Sequence, residues 1–202
     1  TTSCTSALEL SAILLDIHDG DEVIVPSFTF VSSANAFVIM GARIVFAEVD
    51  SETLSISVRT VEKLITSRTR AIVAVNYGGH PSVTDELVAL ANQHNIMIIE
   101  DNAHGLFSTY KGSPLGSFGN LATQSFHETK NITCGEGGAL LINDANLVDR
   151  AEILREKGTD RTKFLRGQVD KYTWVDVGSS WVMSDMLAAI LCGQLEIANE
   201  IN

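Results

Sequence analysis

The stretch Ile96-Met97-Ile98-Ile99-Glu100-Asp101-Asn102-Ala103-His104 decides the fold that the sequence predicts. Its first four residues form a short apolar run, which is typical of a strand covered on both faces of a sheet. The run ends on two carboxylates, Glu100 and Asp101. Because ligands of open parallel sheets bind at the carboxyl ends of the strands, Asp101 is a candidate site residue.

Similar short runs of valine, isoleucine and leucine recur along the chain and predict further strands, at 22–25, 44–49, 71–75, 121–123 and 138–142. Segments with helical spacing separate most of them, at 5–16, 31–40, 57–66, 82–91 and 144–154. Strands that alternate with helices are typical of an α/β fold. We therefore predict a mostly parallel sheet with helices on both faces.

Composition sets limits on the class of protein. The chain has 202 residues, 45% hydrophobic and 19% charged, which is enough for one well-buried globular domain. A net charge of −11 argues against a nucleic-acid partner. No apolar stretch reaches membrane-spanning length, and no basic segment precedes the first apolar residues as in a signal peptide. Cys4, Cys134 and Cys192 lack the short spacings of disulfide or metal frameworks, so we expect reduced thiols, no metal site and a cytoplasmic location.

Several catalytic motifs are missing from the sequence: G-x-G-x-x-G after a strand, a Walker loop, G-x-S-x-G and H-E-x-x-H. What remains is Lys130, the strand-end Asp101 and a hydroxyl-rich helix start at 2–6. Pyridoxal phosphate needs a lysine for its aldehyde, a carboxylate for its ring nitrogen and backbone N–H groups for its phosphate. This spacing alone leaves the question open, because most lysines are surface charges.

Five stretches of the chain together resemble one family. They are Thr-Ser-Cys-Thr-Ser-Ala-Leu at 2–8, Pro-Ser-Phe-Thr-Phe at 26–30, Glu-Asp-Asn-Ala-His at 100–104, Ser-Phe-His-Glu-Thr-Lys-Asn at 125–131 and Gly-Glu-Gly-Gly at 135–138. In this order they resemble the DegT/DnrJ/StrS family of pyridoxal-phosphate-dependent nucleotide-sugar aminotransferases. The resemblance implies the aspartate aminotransferase-like (type I) fold and pyridoxal 5'-phosphate as cofactor.

A later part of the chain resembles one subgroup of that family. The stretches 155–161, 171–174 and 178–180 look like those of dTDP-4-amino-4,6-dideoxygalactose transaminases. This resemblance implies that glutamate donates an amino group to a dTDP-4-keto-6-deoxyhexose. The product would be a 4-amino-4,6-dideoxy sugar nucleotide for bacterial surface glycans.

The family resemblance implies a role for three polar residues. Lys130 would form the Schiff base with the cofactor and then move the proton as general acid and base. Asp101 would pair with the pyridine nitrogen, although a strand-end aspartate can also cap the following turn. His104 would lie near the cofactor's 3-hydroxyl, and a buried structural histidine is the alternative.

The same resemblance implies roles for four further residues. Phe30 would stack on the cofactor ring, whereas a phenylalanine after a strand is otherwise most often part of the core. Ser125, together with Cys4 and Thr5, would hold the phosphate. Turn and helix-cap chemistry is the alternative for these three.

The resemblance also predicts domain organisation and partners. Residues 1–155 would form the core of the cofactor-binding large domain, and 156–202 a loop and helix leading toward a largely absent C-terminal small domain. A homodimer is expected, because the family builds its site across a subunit interface. Seven of the fourteen basic residues lie between Arg150 and Lys171, where they form either a solvated surface or an anion site for the substrate phosphates.

Three alternatives remain at this stage. A nucleotide-sugar dehydrase of the same family would carry histidine in place of the Schiff-base lysine, and Lys130 argues against it. A truncated remnant could fold and dimerise without turnover. An unrelated α/β binding domain would leave the five ordered stretches as coincidence.

Overall fold

The computed structural model describes residues 1–201. Its strands are β1 (Glu22–Pro26), β2 (Arg43–Ala47), β3 (Thr69–Val75), β4 (Met97–Asp101), β5 (Thr109–Tyr110), β6 (Ser113–Pro114), β7 (Leu121–Ser125) and β8 (Gly138–Ile142). Six of them form one sheet in the order β2-β1-β3-β4-β7-β8, and β5 and β6 form a small hairpin. All neighbours in the large sheet are parallel except β7 and β8, which are antiparallel.

Helices cover both faces of this sheet. They are α1 (Cys4–Leu14), α2 (Ser32–Val38), α3 (Val58–Leu64), α4 (Asp85–His94), α5 (Val148–Arg155), α6 (Arg161–Leu165), α7 (Asp185–Glu196) and α8 (Ala198–Ile201). Val23 and Val25 of β1 point into a core shared with α1, α2 and α5, whereas Ile24 packs with α3 and α4 on the opposite face. The predicted α/β fold with a mostly parallel sheet is confirmed.

The strand order places a topological switch point between β1 and β3. The chain runs from β1 outward to β2, and then returns to the other side of β1 to form β3. Crossovers in opposite directions from adjacent strands open a crevice at their carboxyl ends, where ligands of such sheets bind. The segments that follow β1, β3, β4 and β7 all emerge at this edge, which we call the carboxyl edge.

The start of α1 is also fixed at the carboxyl edge. Ser3 caps the helix, and its side-chain oxygen accepts from the N–H of Ser6. The chain before the cap is tied to the first residue of β8, because the Gly138 N–H donates to Thr1 O at 3.1 Å. A Cβ on Gly138 would lie 2.3 Å from the backbone carbon of Ser3, so only glycine permits this close approach.

The segment after α5 packs more loosely. Helix α7 has no fully buried residue, although Leu187 and Leu191 pack partly against a small cluster around Phe126 and Ile132. Within residues 1–201, no helix combines the length and the apolar character needed to span a membrane. The predicted boundary between 1–155 and 156–202 coincides with the end of α5, and the division into domains stays a prediction.

Candidate active site

A cavity of about 750 Å3 opens at the carboxyl edge, and we call it the main cavity. It collects residues from the start of α1, from the segments after β1, β3, β4 and β7, and from the loop before β8. All seven candidate site residues line it: Cys4, Thr5, Phe30, Asp101, His104, Ser125 and Lys130. Residues from positions 4 to 130 therefore converge on one cavity, as the sequence predicts.

Asp101 is the last residue of β4 and is 5% exposed. Its Oδ2 atom accepts from the Ser33 hydroxyl at 2.5 Å, and its Oδ1 atom accepts from the Ala103 N–H at 3.2 Å. These two donors fix the plane of the carboxylate and leave lone pairs for a further donor. Ser33 itself shares a hydrogen bond of 2.7 Å with Thr29. Neither hydroxyl is among the predicted site residues, although Thr29 lies within the Pro26–Phe30 stretch and Ser33 follows three residues after it.

Cys4 and Thr5 occupy the first turn of α1. The N–H groups of this turn have no partner inside the helix and carry the positive end of its dipole. Thr5 Oγ1 shares a hydrogen bond of 2.8 Å with Ser32 Oγ, and the Cys4 thiol donates to Thr123 Oγ1 at 3.4 Å. Burial, followed by the nearby Asp101 carboxylate, raises the pKa of the Cys4 thiol to about 12. Cys4 is therefore a neutral thiol, and the helix start can hold an anion.

Ser125 and Lys130 lie at opposite ends of a tight turn after β7. Ser125 Oγ accepts from the His127 N–H at 3.4 Å, and the Lys130 N–H donates to His127 O at 2.9 Å. Lys130 is half-buried, and no carboxylate among residues 1–201 forms an ion pair with its amine. Lys130 thus lines the main cavity without an ion pair to Asp101 or Glu136, which line the same cavity.

His104 follows β4 and lies edge-on against Tyr77, with 5.1 Å between the ring centroids. Its Nδ1 atom accepts from the Gly78 N–H at 3.3 Å. Burial, reinforced by the charge of Lys130, lowers the pKa of His104. The imidazole is therefore neutral near pH 7, with its remaining proton on Nε2.

Aromatic side chains form the wall of the main cavity nearest β1. Phe30 lies there and is 72% exposed, so its ring is available to a ligand rather than packed in the core. Phe28 and Tyr77 stand beside it, with 4.8 Å between their ring centroids. Tyr77 was not predicted, because it lies in a short 3₁₀ turn after β3 that carries no sequence signal.

A buried polar network lies beneath the carboxyl edge, and it is not predicted from the sequence. Glu100 is fully buried, and its carboxylate accepts from the N–H groups of Gly116, Phe118 and Gly119 and from the Asn76 amide, at 2.7–3.1 Å. Four donors replace the water that a carboxylate would otherwise require. In the sequence, only the polar residues at the ends of neighbouring apolar strands could have indicated this network.

Most of the basic residues between Arg150 and Lys171 do not form the anion site considered above. Five of the seven are paired with carboxylates instead: Arg150 with Asp16 and Asp176, Lys157 and Arg161 with Glu156, Lys163 with Asp149, and Arg166 with Glu152. None of the seven lines the main cavity. For these five, the pairing with carboxylates favours the interpretation as surface charges.

Comparisons with known proteins agree with this geometry. The model of the DegT/DnrJ/EryC1/StrS aminotransferase family matches residues 1–202. The chain is 40% identical over 197 residues to GDP-perosamine synthase of Escherichia coli O157:H7, covering 97% of this chain and 52% of that protein. The chain thus spans about half the length of the curated relatives it matches.

Solved structures give the same result. The aminotransferase of Psychrobacter cryohalolentis superimposes with a TM-score of 0.92 at 34% identity, over 99% of this chain and 52% of that one. The protein Spr1654 of Streptococcus pneumoniae in its PLP form superimposes with a TM-score of 0.86 at 29% identity, over 98% and 54% of the two chains. Both matches extend over nearly the whole chain.

Proposed function

This chain belongs to the DegT/DnrJ/EryC1/StrS aminotransferase family, and from that membership we propose that it transfers an amino group from glutamate to a nucleotide-linked keto sugar. The observation that carries the proposal is the convergence of Lys130 and Asp101 on one cavity beside the start of α1. Family membership and the Spr1654 structures in PLP and PMP forms indicate pyridoxal phosphate as the cofactor.

The residues of the main cavity fit that cofactor. Asp101 supplies a carboxylate for a ring nitrogen, and the start of α1 supplies N–H and hydroxyl donors for a phosphate. Phe30 supplies an exposed aromatic face for a planar ring. The single amine in the cavity belongs to Lys130. Each part of the cofactor would therefore find a group of matching chemistry in the main cavity.

The protein's own residues divide the work of the reaction. Pyridoxal phosphate supplies an electron sink that makes the donor's α-proton acidic. Lys130 Nζ would hold the cofactor and, when free, would move a proton as general base and then as general acid. Asp101, held by Ser33 and Ala103, would keep a proton on the ring nitrogen through its negative charge. Neutral His104, whose Nδ1 accepts from Gly78, would donate through Nε2 to the cofactor's 3-hydroxyl oxygen.

The sugar substrate is proposed at a finer level. The resemblance of 155–161 and 171–174 to one subgroup favours a dTDP-4-keto-6-deoxyhexose, which would become a 4-amino-4,6-dideoxy sugar nucleotide for bacterial surface glycans. The name of the relative GDP-perosamine synthase refers to a GDP-linked sugar, so the nucleotide base of the substrate is the feature to be tested. Both substrates belong in the same experiment.

Amino transfer can be measured directly. The protein, loaded with pyridoxal phosphate, is incubated with glutamate and either dTDP- or GDP-4-keto-6-deoxyhexose, and the amino sugar and 2-oxoglutarate are quantified. We expect equal amounts of the two products, with the dTDP sugar as the better substrate. Faster reaction with the GDP sugar would overturn the choice of base. Cofactor binding without any 2-oxoglutarate would favour a non-catalytic remnant over the enzyme.

A homodimer and a cytoplasmic location are further parts of the proposal. Exposed apolar side chains such as Trp174 (80%) and Met186 (79%) support an interface, because isolated aromatic and Met side chains of this size are enriched at interfaces. The cytoplasmic location follows from the lack of disulfide spacings among the three cysteines in the sequence. Light scattering should give twice the mass of the chain, and a monomer would contradict the dimer.

A further inference from the structure

A second cavity of about 220 Å3 lies beside the main cavity, and we call it the side cavity. The two cavities share part of their lining, including His104 and Lys130. Gln124, Phe107 and Ile132 line the side cavity alone. A ligand in the side cavity would therefore lie next to the same lysine amine that faces the main cavity.

The buried network beneath the carboxyl edge fixes the orientation of its first amide. Asn76 Oδ1 accepts from the Ser82 N–H at 2.9 Å, and a backbone N–H can only donate. The Nδ2 atom of Asn76 must therefore point the other way. It donates to Glu100 Oε2 at 3.1 Å and to Asn102 Oδ1 at 2.9 Å.

The hydrogen bonds of Asn102 in turn fix the orientation of the Gln124 amide. Asn102 Nδ2 donates to Leu115 O at 3.2 Å and to Gln124 Oε1 at 3.0 Å. A backbone carbonyl can only accept, so the amide of Asn102 cannot be turned over without losing bonds at both ends. Gln124 consequently presents its oxygen to the network, and its Nε2 amide group points away from the network.

The Gln124 amide nitrogen has no hydrogen-bond partner among residues 1–201, although the residue is only 4% exposed. Ser82 Oγ is the one fully enclosed side-chain nitrogen or oxygen of the described chain that lacks a partner. The Gln124 nitrogen is therefore not enclosed, and the side cavity is where it reaches solvent. A buried donor that faces a cavity without a partner points to an acceptor ligand.

The charge of the side cavity narrows the class of ligand. No aspartate or glutamate lines it, although the chain carries 25 acidic residues and a net charge of −11. Its polar side chains include the Lys130 amine and His104, which is neutral and carries its proton on Nε2 because Nδ1 accepts from Gly78. Donors and a cation without an opposing carboxylate favour an anionic oxygen ligand.

We propose that the side cavity binds a small carboxylate, with the Gln124 amide as a direct donor to one carboxylate oxygen. The volume accommodates a carboxylate and a few further heavy atoms, and not a nucleotide. Resting on the proposed function, the carboxylate is one of the amino donor or of its 2-oxo acid product. Gln124 then contributes to the specificity for the donor, while the network behind it sets the direction of the N–H.

The test uses acetate as the probe and acetamide as its neutral isostere. Titration followed by ¹⁵N NMR should give a saturable shift of the Gln124 side-chain amide with acetate. Hydrogen bonds to a charged group contribute about 1.5–3 kcal/mol, so acetamide should bind at least about tenfold more weakly. No saturable shift with acetate, or equal binding of acetamide, would overturn the proposal.

Gln124→Glu is the matched variant, studied at about pH 8, where a carboxyl is normally ionised. One oxygen of the new carboxylate still accepts from Asn102, so the network survives, while the donor in the side cavity becomes a charged acceptor. Acetate affinity should fall by more than about tenfold. Gln93→Glu places the same charge on the exposed face of α4 and should leave acetate binding unchanged. Retained acetate binding in Gln124→Glu would contradict the assignment.

Failure of this proposal is distinct from failure of the proposed function. Reductive trapping of pyridoxal phosphate on Lys130 reports on the main cavity and does not need a carboxylate ligand. Trapping without acetate binding would overturn the carboxylate site alone. Acetate binding without trapping would support the side cavity and count against the proposed function.

Discussion

The carboxyl edge of the sheet and the stretch 156–201 stabilise their buried carboxylates through different partners. At the edge, Glu100 is fully buried, accepts four N–H donors and forms no ion pair with any of residues 1–201. In the later stretch, Glu156 is 7% exposed and is paired with the surface cations Lys157 and Arg161. The N–H donors are fixed by the fold, whereas the side chains of lysine and arginine lose entropy when they pair.

Apolar packing differs between the same two regions. The strands β1, β4 and β7, which lead to site residues at the carboxyl edge, are buried almost completely, whereas the outer strand β2 is partly exposed. Within 156–201, residues classed as buried are few, and α7 has none. The comparison indicates that the site residues are held by the sheet itself. Changes at the edge should therefore unfold or inactivate the protein, and changes in the later stretch should be tolerated.

Glu100→Ala should give the largest effect on stability. The change leaves three backbone N–H groups and one of the two N–H bonds of the Asn76 amide without an acceptor, each of which costs about 1–3 kcal/mol when buried. We expect a loss of more than about 4 kcal/mol in the free energy of unfolding, measured by urea denaturation. Glu62→Ala, on the exposed face of α3, should change it by less than about 0.5 kcal/mol. If the two variants lost equal amounts of stability, the buried network would contribute no more to the fold than the exposed surface does.

The rate of alkylation should differ between the cysteines of the two regions. The thiolate is the reactive form, and a pKa of about 12 leaves Cys4 almost entirely protonated near neutral pH, whereas Cys192 on α7 is exposed. With iodoacetamide near neutral pH we expect Cys192 to react at least about 100-fold faster than Cys4. Peptide mass mapping against time gives both rates. Similar rates would show that the Cys4 thiol is not shielded at the start of α1.

Asp101→Asn should impair the site while leaving the fold intact. Asparagine retains an oxygen for the Ala103 N–H but loses the charge expected to face the ring nitrogen. Charge-assisted hydrogen bonds contribute about 1.5–3 kcal/mol, so the affinity for pyridoxal phosphate, measured by absorbance titration, should fall about 10–100-fold. Ser33→Ala removes only one donor to Asp101 and should have a smaller effect. Unchanged affinity in Asp101→Asn would exclude the assigned role.

Arg161→Gln should give the smallest effect. The change removes one surface partner of Glu156 and leaves Lys157 in place. Because Arg161 is 46% exposed and Lys157 still neutralises Glu156, the loss should be less than about 1 kcal/mol and the urea midpoint should barely move. A loss as large as that in Glu100→Ala would show that the later stretch is held as firmly as the carboxyl edge.

Much of this fold follows from local sequence. The run before Glu100 predicts β4 because valine and isoleucine suit a strand covered on both faces, and the run at 138–142 coincides with β8. The seven candidate residues meet because parallel strands end at one edge. Their catalytic and binding roles stay predictions, carried by the family resemblance.

Other features depend on partners that are distant in sequence. The direction of the Gln124 amide is set by Asn102 and ultimately by Ser82, and no local pattern contains that information. Arg150 forms ion pairs with Asp16 and Asp176, which lie far from it in the chain, so composition alone suggested a basic patch that tertiary packing neutralises. The ends of helices also differ from the prediction. The helix predicted at 31–40 spans Ser32–Val38 in the structure, because its ends lack side-chain caps.

Reductive trapping on Lys130 tests the central claim most directly. The protein is mixed with pyridoxal phosphate, reduced with borohydride, digested and mapped by mass spectrometry. The label should be found on the peptide that contains Lys130, should disappear in Lys130→Ala and should persist in Lys171→Ala, a basic residue outside the main cavity. A label spread over several lysines, or one that survives in Lys130→Ala, would contradict the assignment of the site.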